Sequence, residues 1–266
     1  MSLPLFQVDA FTSRPFAGNP AGVVLLDAPK SEDWMKGVAR EKMNLSETAF
    51  LLPEGESYRL RWFTPAVEVT LCGHATLASA HILWEQGRLE AGQTARFETL
   101  SGRLTARQLP DGWIALDFPA RLTEPVSAPD GLLAALGLDN ALYIGRYTED
   151  YLVEVENEEL VRGLSPDFAR LKAVKSRGVV VTTRSQTSEY DIVSRFFAPA
   201  AGVDEDPVTG SAHCALAPYW AQKLGKIELL AYQASRRGGE LRVRHVGERV
   251  QLEGQAITVF TARLLA

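Results

Sequence analysis

The chain has 266 residues, a formal net charge of −5, 46% hydrophobic residues and 23% charged residues, a composition typical of a folded globular protein. The acidic balance and the absence of a basic cluster with interleaved aromatic residues argue against a nucleic-acid partner. No stretch predicts a membrane span or a secretion signal. The two cysteines, Cys72 and Cys214, make no disulfide framework, so we expect a cytoplasmic protein.

Short alternating or β-branched segments separated by turn residues predict a strand-rich first half. Ser101-Gly102 and Asp111-Gly112 are hairpin signals, so the last three of these strands should form an antiparallel meander. The predicted strands cover residues 5–11, 22–26, 48–53, 58–64, 95–99, 103–109 and 113–118.

Two helices are predicted among these strands. The segment 31–42 begins at Ser31, has acidic residues in its first turn and basic residues in its last, and is amphipathic, as expected for a helix that covers a sheet. The segment 73–86 is apolar or small around most of its circumference up to Gly87. That pattern indicates a helix buried on several sides, inside a curled sheet.

The second half of the chain repeats this order of elements. The sequence FTPAVEV (63–69) returns as FAPAAGV (197–203), and the helix-leading Gly73 has a counterpart in Gly210. We interpret this as an internal duplication. The predicted strands are 141–145, 151–156, 178–183, 190–197, 240–246, 249–254 and 256–265, with helices near 165–173 and 210–224.

A period near half the chain predicts two pseudo-symmetric lobes with a cleft between them, and such clefts commonly bind ligands. The proline-rich connector 119–131 marks the expected boundary. The first lobe is then 1–118 and contains the helix 73–86. The second is 119–266 and contains the helix 210–224, with a return of the last strand to the first lobe left open.

The starts of these two helices are the candidate binding sites. A helix N-terminus presents unpaired N–H groups and partial positive charge, and Gly73 and Gly210 allow a ligand to approach the backbone closely. A carboxylate is therefore the expected ligand. The neighbouring polar residues are Cys72, His74, Asp206, Thr209 and Ser211. Helix capping by Asp206 or Thr209 is the alternative explanation.

Glu47 is the candidate acid and base. Asn44 and Glu47 have the spacing of a capping box, which would place them at a helix start. The apolar residues 48–52 that follow instead predict a buried strand, where a carboxyl group is costly unless it is paired or used. Burial raises the pKa of a carboxyl group, which suits a group that moves protons to and from carbon.

Metal and nucleotide sites are not predicted. His74 and His81 are seven residues apart, His213 adjoins Cys214, and no zinc-binding spacing, P-loop or dinucleotide fingerprint occurs. The sequence therefore predicts neither a metal nor a cofactor.

Four segments together resemble the phenazine-biosynthesis PhzF-like family. They are VDAFTSRPFAGNPAGVVLL (8–26), NLSETAFL (44–51), LRWFTPAVEVTLCGHATLASA (60–80) and EDPVTGSAHCAL (205–216). The resemblance implies an α+β fold of the diaminopimelate epimerase-like type, with two similar domains that each wrap a curled, mostly antiparallel sheet around a central helix. It also implies a homodimer.

The family's phenazine-pathway member is a trans-2,3-dihydro-3-hydroxyanthranilate isomerase that shifts a proton between carbons without a cofactor. The resemblance therefore implies that Glu47 is the proton shuttle, aided by His74 and Asp206, and that Gly73, His74, Gly210 and Ser211 bind a small carboxylate. Two alternatives stay open. One is an amino-acid epimerase or racemase that uses Cys72 with Glu47, because a helix-start thiol can have a lowered pKa. The other is a carboxylate-binding protein without catalysis.

Overall fold

The computed structural model describes residues 2–187 and 189–265. Its strands are β1 (Ser2–Ala10), β2 (Asn19–Leu25), β3 (Glu47–Glu54), β4 (Ser57–Phe63), β5 (Glu68–Val69), β6 (Ala95–Thr99), β7 (Gly102–Gln108), β8 (Ile114–Pro119), β9 (Glu124–Pro125), β10 (Tyr143–Tyr147), β11 (Asp150–Glu154), β12 (Val179–Arg184), β13 (Ile192–Ala198), β14 (Val203–Asp206), β15 (Glu228–Gln233), β16 (Gly239–Val246), β17 (Arg249–Gly254) and β18 (Ala256–Leu265).

The helices are α1 (Glu32–Val38), α2 (Gly73–Glu85), α3 (Leu132–Leu136), α4 (Glu158–Gly163), α5 (Phe168–Ala173) and α6 (Gly210–Leu224). A π-helical turn, Ala39–Met43, follows α1, and a 3₁₀ turn covers Pro199–Ala201. Within the described ranges, no helix combines the length and the apolar character needed to cross a membrane.

The chain divides into two compact units, Met1–Asp117 with Glu253–Ala266 and Phe118–Leu252. The first unit therefore includes the C-terminal strand, which pairs antiparallel with β1 from Ser2–Leu265 to Ala10–Ala256. The sequence predicts a second lobe of residues 119–266 and leaves open whether the last strand returns to the first lobe.

The first unit is a mixed sheet in which antiparallel pairs predominate. β1 pairs antiparallel with β2, and β2 pairs parallel with β3. β3 pairs antiparallel with β4, β4 parallel with β6, and β6 antiparallel with β7. β7 continues antiparallel to β8, which gives the predicted meander. The short β5 pairs antiparallel with β4.

The second unit repeats this pattern of pairings. β10 pairs antiparallel with β11, and β11 pairs parallel with β12. β12 pairs antiparallel with β13, β13 parallel with β15, and β15 antiparallel with β16. The short β14 pairs antiparallel with β13 as β5 does with β4. The same sequence of parallel and antiparallel steps in both units confirms the duplication that the sequence predicted.

Each unit has one long buried helix at the same place in this order. α2 follows β5 and packs against β1, β2, β3, β7 and β18. Its residues Ala75, Leu77, Ala78 and Ala80 are fully buried, as the small and apolar character of the segment predicted. α6 follows β14 and packs against β15 and β16.

A proline inside α6 is accommodated by a contact with the connector. Pro218 lacks an N–H group, so it cannot donate to the carbonyl of Cys214 one turn earlier. The N–H of Arg121 donates to that carbonyl instead, at 2.9 Å. The buried helix thus keeps its backbone hydrogen bonds satisfied.

The buried strand predicted after Glu47 is confirmed, and the capping-box spacing of Asn44 and Glu47 does not begin a helix. Asn44 ends the π-helical turn in the left-handed region, with φ of 47°, and Glu47 is the first residue of β3. The helix predicted at 31–42 is correspondingly split between α1 and that turn. The strand β15 was not predicted, although it pairs at the centre of the second sheet with β13 and β16.

Gly254 makes the tightest backbone approach to the core beside α2. A Cβ atom on this residue would lie 2.3 Å from Cδ1 of Phe11 and 3.0 Å from Cδ1 of Leu77. Phe11 is fully buried, so its ring has no open space to move into, and its φ of 62° places its backbone in the left-handed region that non-glycine residues rarely adopt.

We therefore expect Gly254→Ala to lower the free energy of unfolding by about 1–3 kcal/mol, the usual cost of overpacking. Urea unfolding followed by circular dichroism measures it. Gly37→Ala is the matched control, because a Cβ there meets nothing within 4 Å and the residue lies in α1. It should raise the free energy of unfolding by about 0.5–1 kcal/mol. Equal effects of both substitutions would contradict the close packing.

Candidate active site

Three chemically active side chains meet at the start of α2 in the first unit. Cys72 is the residue before the helix, Gly73 is its first residue and His74 is its second. Glu47 reaches the same place as the first residue of β3, paired in parallel with Ala21 of β2. The structure thus brings Glu47, Cys72, Gly73 and His74 together, as the sequence predicted for the first half of the site.

His74 lies between the other two side chains. Its Nε2 is 3.3 Å from Oε2 of Glu47, and its Nδ1 is 3.5 Å from Sγ of Cys72. The His74 side chain is 6% exposed, and that of Glu47 is 19% exposed. Glu47 is therefore the member of the cluster that retains access to solvent, while the imidazole behind it is shielded.

Burial fixes the charge of His74. Removal from water disfavours the protonated ring and lowers the pKa of His74 to about 3. The imidazole is neutral at physiological pH, so one ring nitrogen carries a proton and the other accepts. Among the described residues, Nε2 has no hydrogen-bond partner of good geometry, although the Glu47 oxygen is close. The contact is therefore a near approach rather than an ion pair.

The start of α6 in the second unit has a different set of polar groups. Asp206 ends β14, Thr209 precedes the helix, Gly210 is its first residue and Ser211 its second. The Thr209 hydroxyl donates to Oδ2 of Asp206 at 2.6 Å. Thr209 makes no side-chain cap, so the capping explanation is wrong for this residue. Its hydroxyl instead orients the Asp206 carboxylate.

Gln233, the last residue of β15, makes two hydrogen bonds to the backbone of the loop before α6. Its Oε1 accepts from the N–H of Thr209 at 2.8 Å, and its Nε2 donates to the carbonyl of Asp206 at 2.7 Å. Gln233 is fully buried. A strand missing from the sequence prediction thus supplies the residue that holds the Asp206 loop in place.

Asp150 and Arg177 are further members of this polar group that were not predicted from the sequence. Nε and Nη2 of Arg177 donate to the two carboxylate oxygens of Asp150, and Nη2 also donates to Oγ of Ser211 at 3.2 Å. The guanidinium lies over the ring of Phe196, 5.4 Å from its centroid. Burial raises the pKa of Asp150, and the adjacent Arg177 partly offsets this shift.

A signal for this pair was present in the sequence. Asp150 begins the segment DYLVE, in which all five residues are buried. A carboxyl group at the start of an apolar strand needs a partner, but the partner is 27 residues away and no local spacing identifies it.

His213 completes the start of α6. It is fully buried, and its Nδ1 lies 2.8 Å from the carbonyl oxygen of Thr209. A carbonyl only accepts, so Nδ1 carries the proton. Burial lowers the pKa of His213 to about 4, and the hydrogen bond to Thr209 opposes the shift. This histidine is a neutral core residue.

The structure thus places the predicted residues in two groups, one in each unit. Glu47, Cys72, Gly73 and His74 form the first. The second contains Asp206, Gly210 and Ser211, with Arg177 beside Ser211.

Comparisons with solved structures give the fold class. A PhzF-family phenazine biosynthesis protein from Enterococcus faecalis superposes with a TM-score of 0.94 at 40% identity, covering all of both chains. A predicted epimerase from Pseudomonas aeruginosa, at 21% identity, shares the fold with a TM-score of 0.79 over 99% of both chains. The α+β, diaminopimelate epimerase-like fold is therefore confirmed.

The family follows from the sequence comparisons. The family model described as phenazine biosynthesis-like protein, PhzC-PhzF, matches residues 8–262. An uncharacterized isomerase from Halalkalibacterium halodurans is 52% identical over 266 residues, which is 100% of this chain and 99% of the relative. The chain belongs to the phenazine biosynthesis-like (PhzF) family.

Because His213 is buried in its neutral form, we expect the folded protein to lose stability in acid. In the unfolded chain a histidine binds a proton below a pH of about 6.5, whereas folded His213 does not until about pH 4. The unfolded state then binds more protons, so stability falls as the pH drops from 6.5 towards 4.

His213→Asn can keep a hydrogen-bond donor near the Thr209 carbonyl but has no group that binds a proton in this pH range. We expect its loss of unfolding free energy between pH 6.5 and 4.5 to be smaller than that of the unsubstituted protein by about 2 kcal/mol.

Urea unfolding at a series of pH values between 7.5 and 4.5 measures this difference. The comparison uses the change with pH within each protein, because the substitution also alters packing at every pH. Parallel stability curves for the two proteins would contradict a neutral, buried His213.

Proposed function

We propose that the protein is a cofactor-independent isomerase that moves a proton on a small carboxylic acid, with Glu47 as the general base and then the general acid. The observation that carries this proposal is the partly exposed Glu47 carboxylate beside a shielded, neutral imidazole, with 3.3 Å between Oε2 and Nε2. The relative from Halalkalibacterium halodurans, which is named as an isomerase, supports the reaction class.

A neutral His74 suits a carboxylate that must both take and return a proton. A protonated imidazole at this distance would stabilise the charged form of Glu47 and weaken it as a base. The neutral ring can orient the carboxylate or the substrate by hydrogen bonding without that penalty. Because its Nε2 faces Glu47, we assign His74 the role of orienting the Glu47 carboxylate or the substrate next to the reacting carbon.

The negative charge that grows as a proton leaves carbon needs stabilisation. The N–H groups at the start of α2, from Gly73 onwards, provide fixed donors beside Glu47. Donors that are already oriented stabilise a developing charge without reorganisation, which is often the largest contribution to catalysis.

We assign substrate binding to the polar group at the start of α6. Ser211, held by Nη2 of Arg177 at 3.2 Å, and Gly210 would bind the acid, and Asp206 would orient an amino or hydroxyl group. Arg177 uses Nε and Nη2 in the contacts with Asp150 and Ser211, which leaves the Nη1 donors for a carboxylate. That this group contacts the same substrate as Glu47 stays a prediction.

Solvent-deuterium exchange tests the role of Glu47. A panel of small hydroxy and amino carboxylic acids, including dihydro-hydroxyanthranilic acid, is incubated with the protein in D₂O, and deuterium on carbon is read by NMR and mass spectrometry. We expect Glu47→Gln to reduce the exchange rate by about 10²–10⁴-fold, because it removes the general base. Arg177→Met should mainly raise the substrate concentration needed for half-maximal rate.

Glu54→Gln is the matched control, since Glu54 ends the same strand β3 and pairs with Arg59. It should exchange at the unsubstituted rate. Equal rates in Glu47→Gln and Glu54→Gln would refute the proposal. If one of these acids raises the melting temperature of the protein and none of them takes up deuterium, the result would instead support a carboxylate-binding protein without catalysis.

Epimerisation of an amino acid by Cys72 with Glu47 is the second candidate, and the contact between Sγ of Cys72 and Nδ1 of His74 at 3.5 Å favours it. A thiol that donates to Nδ1 would leave the single ring proton of the neutral imidazole on Nε2, facing Glu47. The three groups could then pass a proton along the line from sulfur through the ring to the carboxylate. Cys72 would then serve as the second base beside Glu47.

The two candidates separate at Cys72. If the thiol is a base, Cys72→Ser should lower exchange at the α-carbon of amino acids by at least about 100-fold, because a serine hydroxyl is a far weaker acid and does not ionise near neutral pH. Cys214→Ser controls for the loss of a buried thiol, since Cys214 is also a buried cysteine outside any disulfide. Unchanged exchange in Cys72→Ser would remove the epimerase hypothesis and leave the Glu47 isomerase.

A further inference from the structure

The cluster at the start of α2 has a donor set that its proposed acid and base chemistry does not require. Glu47, Cys72 and His74 each offer one ligand atom, an oxygen, a sulfur and a nitrogen, and these atoms all lie within 4.8 Å of one another. Tetrahedral zinc sites combine these three ligand types with bond lengths of about 2.0–2.3 Å, so their ligands stand about 3.3–3.8 Å apart.

The observed contacts are close to those separations. The Glu47 oxygen is 3.3 Å from Nε2 of His74, and the Cys72 sulfur is 3.5 Å from Nδ1. Only one ring nitrogen would bind a given ion, so the third ligand has to move. The ligand atoms lie at most 4.8 Å apart, and two ligands of one tetrahedral zinc ion lie about 3.3 Å apart or more. Any two of these atoms therefore have to approach by no more than about 1.5 Å, which a rotation of the Glu47 side chain can provide.

A second observation points to a ligand at this place. The Nε2 atom of His74 is buried and, within the part of the chain that the structure describes, has no hydrogen-bond partner. A buried polar atom in that state is unusual and costs free energy. A metal ion would satisfy it, because a neutral imidazole offers its lone pair to a cation.

We propose that Glu47, Cys72 and His74 form an inhibitory binding site for a thiophilic divalent cation, with Zn²⁺ as the physiological candidate. A bond from sulfur to Zn²⁺ forms as the S–H bond of Cys72 breaks, and that proton passes to solvent. The Glu47 carboxylate and the His74 lone pair complete three ligands, and water takes the fourth position. Mg²⁺ and Ca²⁺ should not compete, because they prefer oxygen ligands.

The inhibitory part of this inference rests on the proposed function. A Glu47 oxygen bound to zinc has no free lone pair with which to remove a proton from carbon, so occupancy would stop exchange. The binding part is independent of it, since the three ligands can hold a cation whatever reaction the protein performs.

The spacings of histidines and cysteines along the chain do not reveal this set. Cys72 and His74 are two residues apart across a helix start, and Glu47 precedes them on a different element. The set becomes visible only when β3 and α2 are placed side by side, as they are in the first unit.

Cobalt substitution tests the binding with a readout other than activity. Co²⁺ is titrated into the metal-free, reduced full-length protein, and we expect a near-ultraviolet band from thiolate-to-cobalt charge transfer, with visible bands typical of tetrahedral Co²⁺. One equivalent of Zn²⁺ should abolish these bands and excess Mg²⁺ should not. Cys72→Ser should lack the near-ultraviolet band.

Cys214→Ser is the matched control and should retain the full spectrum, because Cys214 lies on α6 in the other unit. Glu47→Gln keeps the thiol, so its band should persist. Its Zn²⁺ affinity, measured by competition with a chromophoric chelator, should fall by at least about 100-fold, since loss of a supporting group alone costs 10–100-fold. Circular dichroism confirms that each variant is folded.

The absence of a thiolate band in the unsubstituted protein, or its loss in Cys214→Ser but not in Cys72→Ser, would overturn the proposed site. Exchange that Zn²⁺ stops and a chelator restores supports the inhibition, and exchange that continues at saturating Zn²⁺ overturns it. These outcomes differ from a failure of the proposed function, in which the cobalt spectrum is present but Glu47→Gln exchanges deuterium as fast as the unsubstituted protein.

Discussion

The burial of His74 is the constraint on which the candidate site depends. The ring is held 6% exposed by its place on a helix that the first sheet surrounds, and that burial keeps it neutral, with a pKa lowered to about 3. A neutral ring presents one donor and one acceptor. It can therefore face an acid on one side and a thiol on the other without stabilising a permanent charge on either.

That burial in turn depends on the small residues of α2. Ala75, Ala78 and Ala80 have no exposed surface, and their short side chains let the surrounding strands approach the helix closely. The same solution appears in the second unit, where α6 buries Ala212, Ala215 and Ala217. Duplication kept the buried helix and the glycine at its start, while the polar groups beside each start diverged into a thiol and imidazole set and an aspartate, serine and arginine set.

The features that the sequence could predict are those fixed by local patterns. The bounds of α6, the meander β6–β8 and the duplication follow from periodicity, glycine positions and repeated segments. Pairs between distant elements could not be found in this way: Gln233 acts on Thr209 from β15, and Arg177 acts on Asp150 and Ser211 from a loop. Glu47 was identified because a charged residue before an apolar strand is locally conspicuous, whereas its contact with His74 needed the fold.

The neutral His74 also sets a conflict between function and stability. Because its folded pKa lies below the value of about 6.5 in an unfolded chain, the unfolded state binds more protons below that pH, and the fold loses stability as the pH falls. A protonated His74 would avoid this loss but would form an ion pair with Glu47 and stabilise the charged form of that carboxylate. An apolar residue would also avoid it but would leave the carboxylate and the thiol without the group between them. The chain thus keeps a histidine whose buried, uncharged state lowers its stability in acid, as expected where a site needs a group that the core would not select.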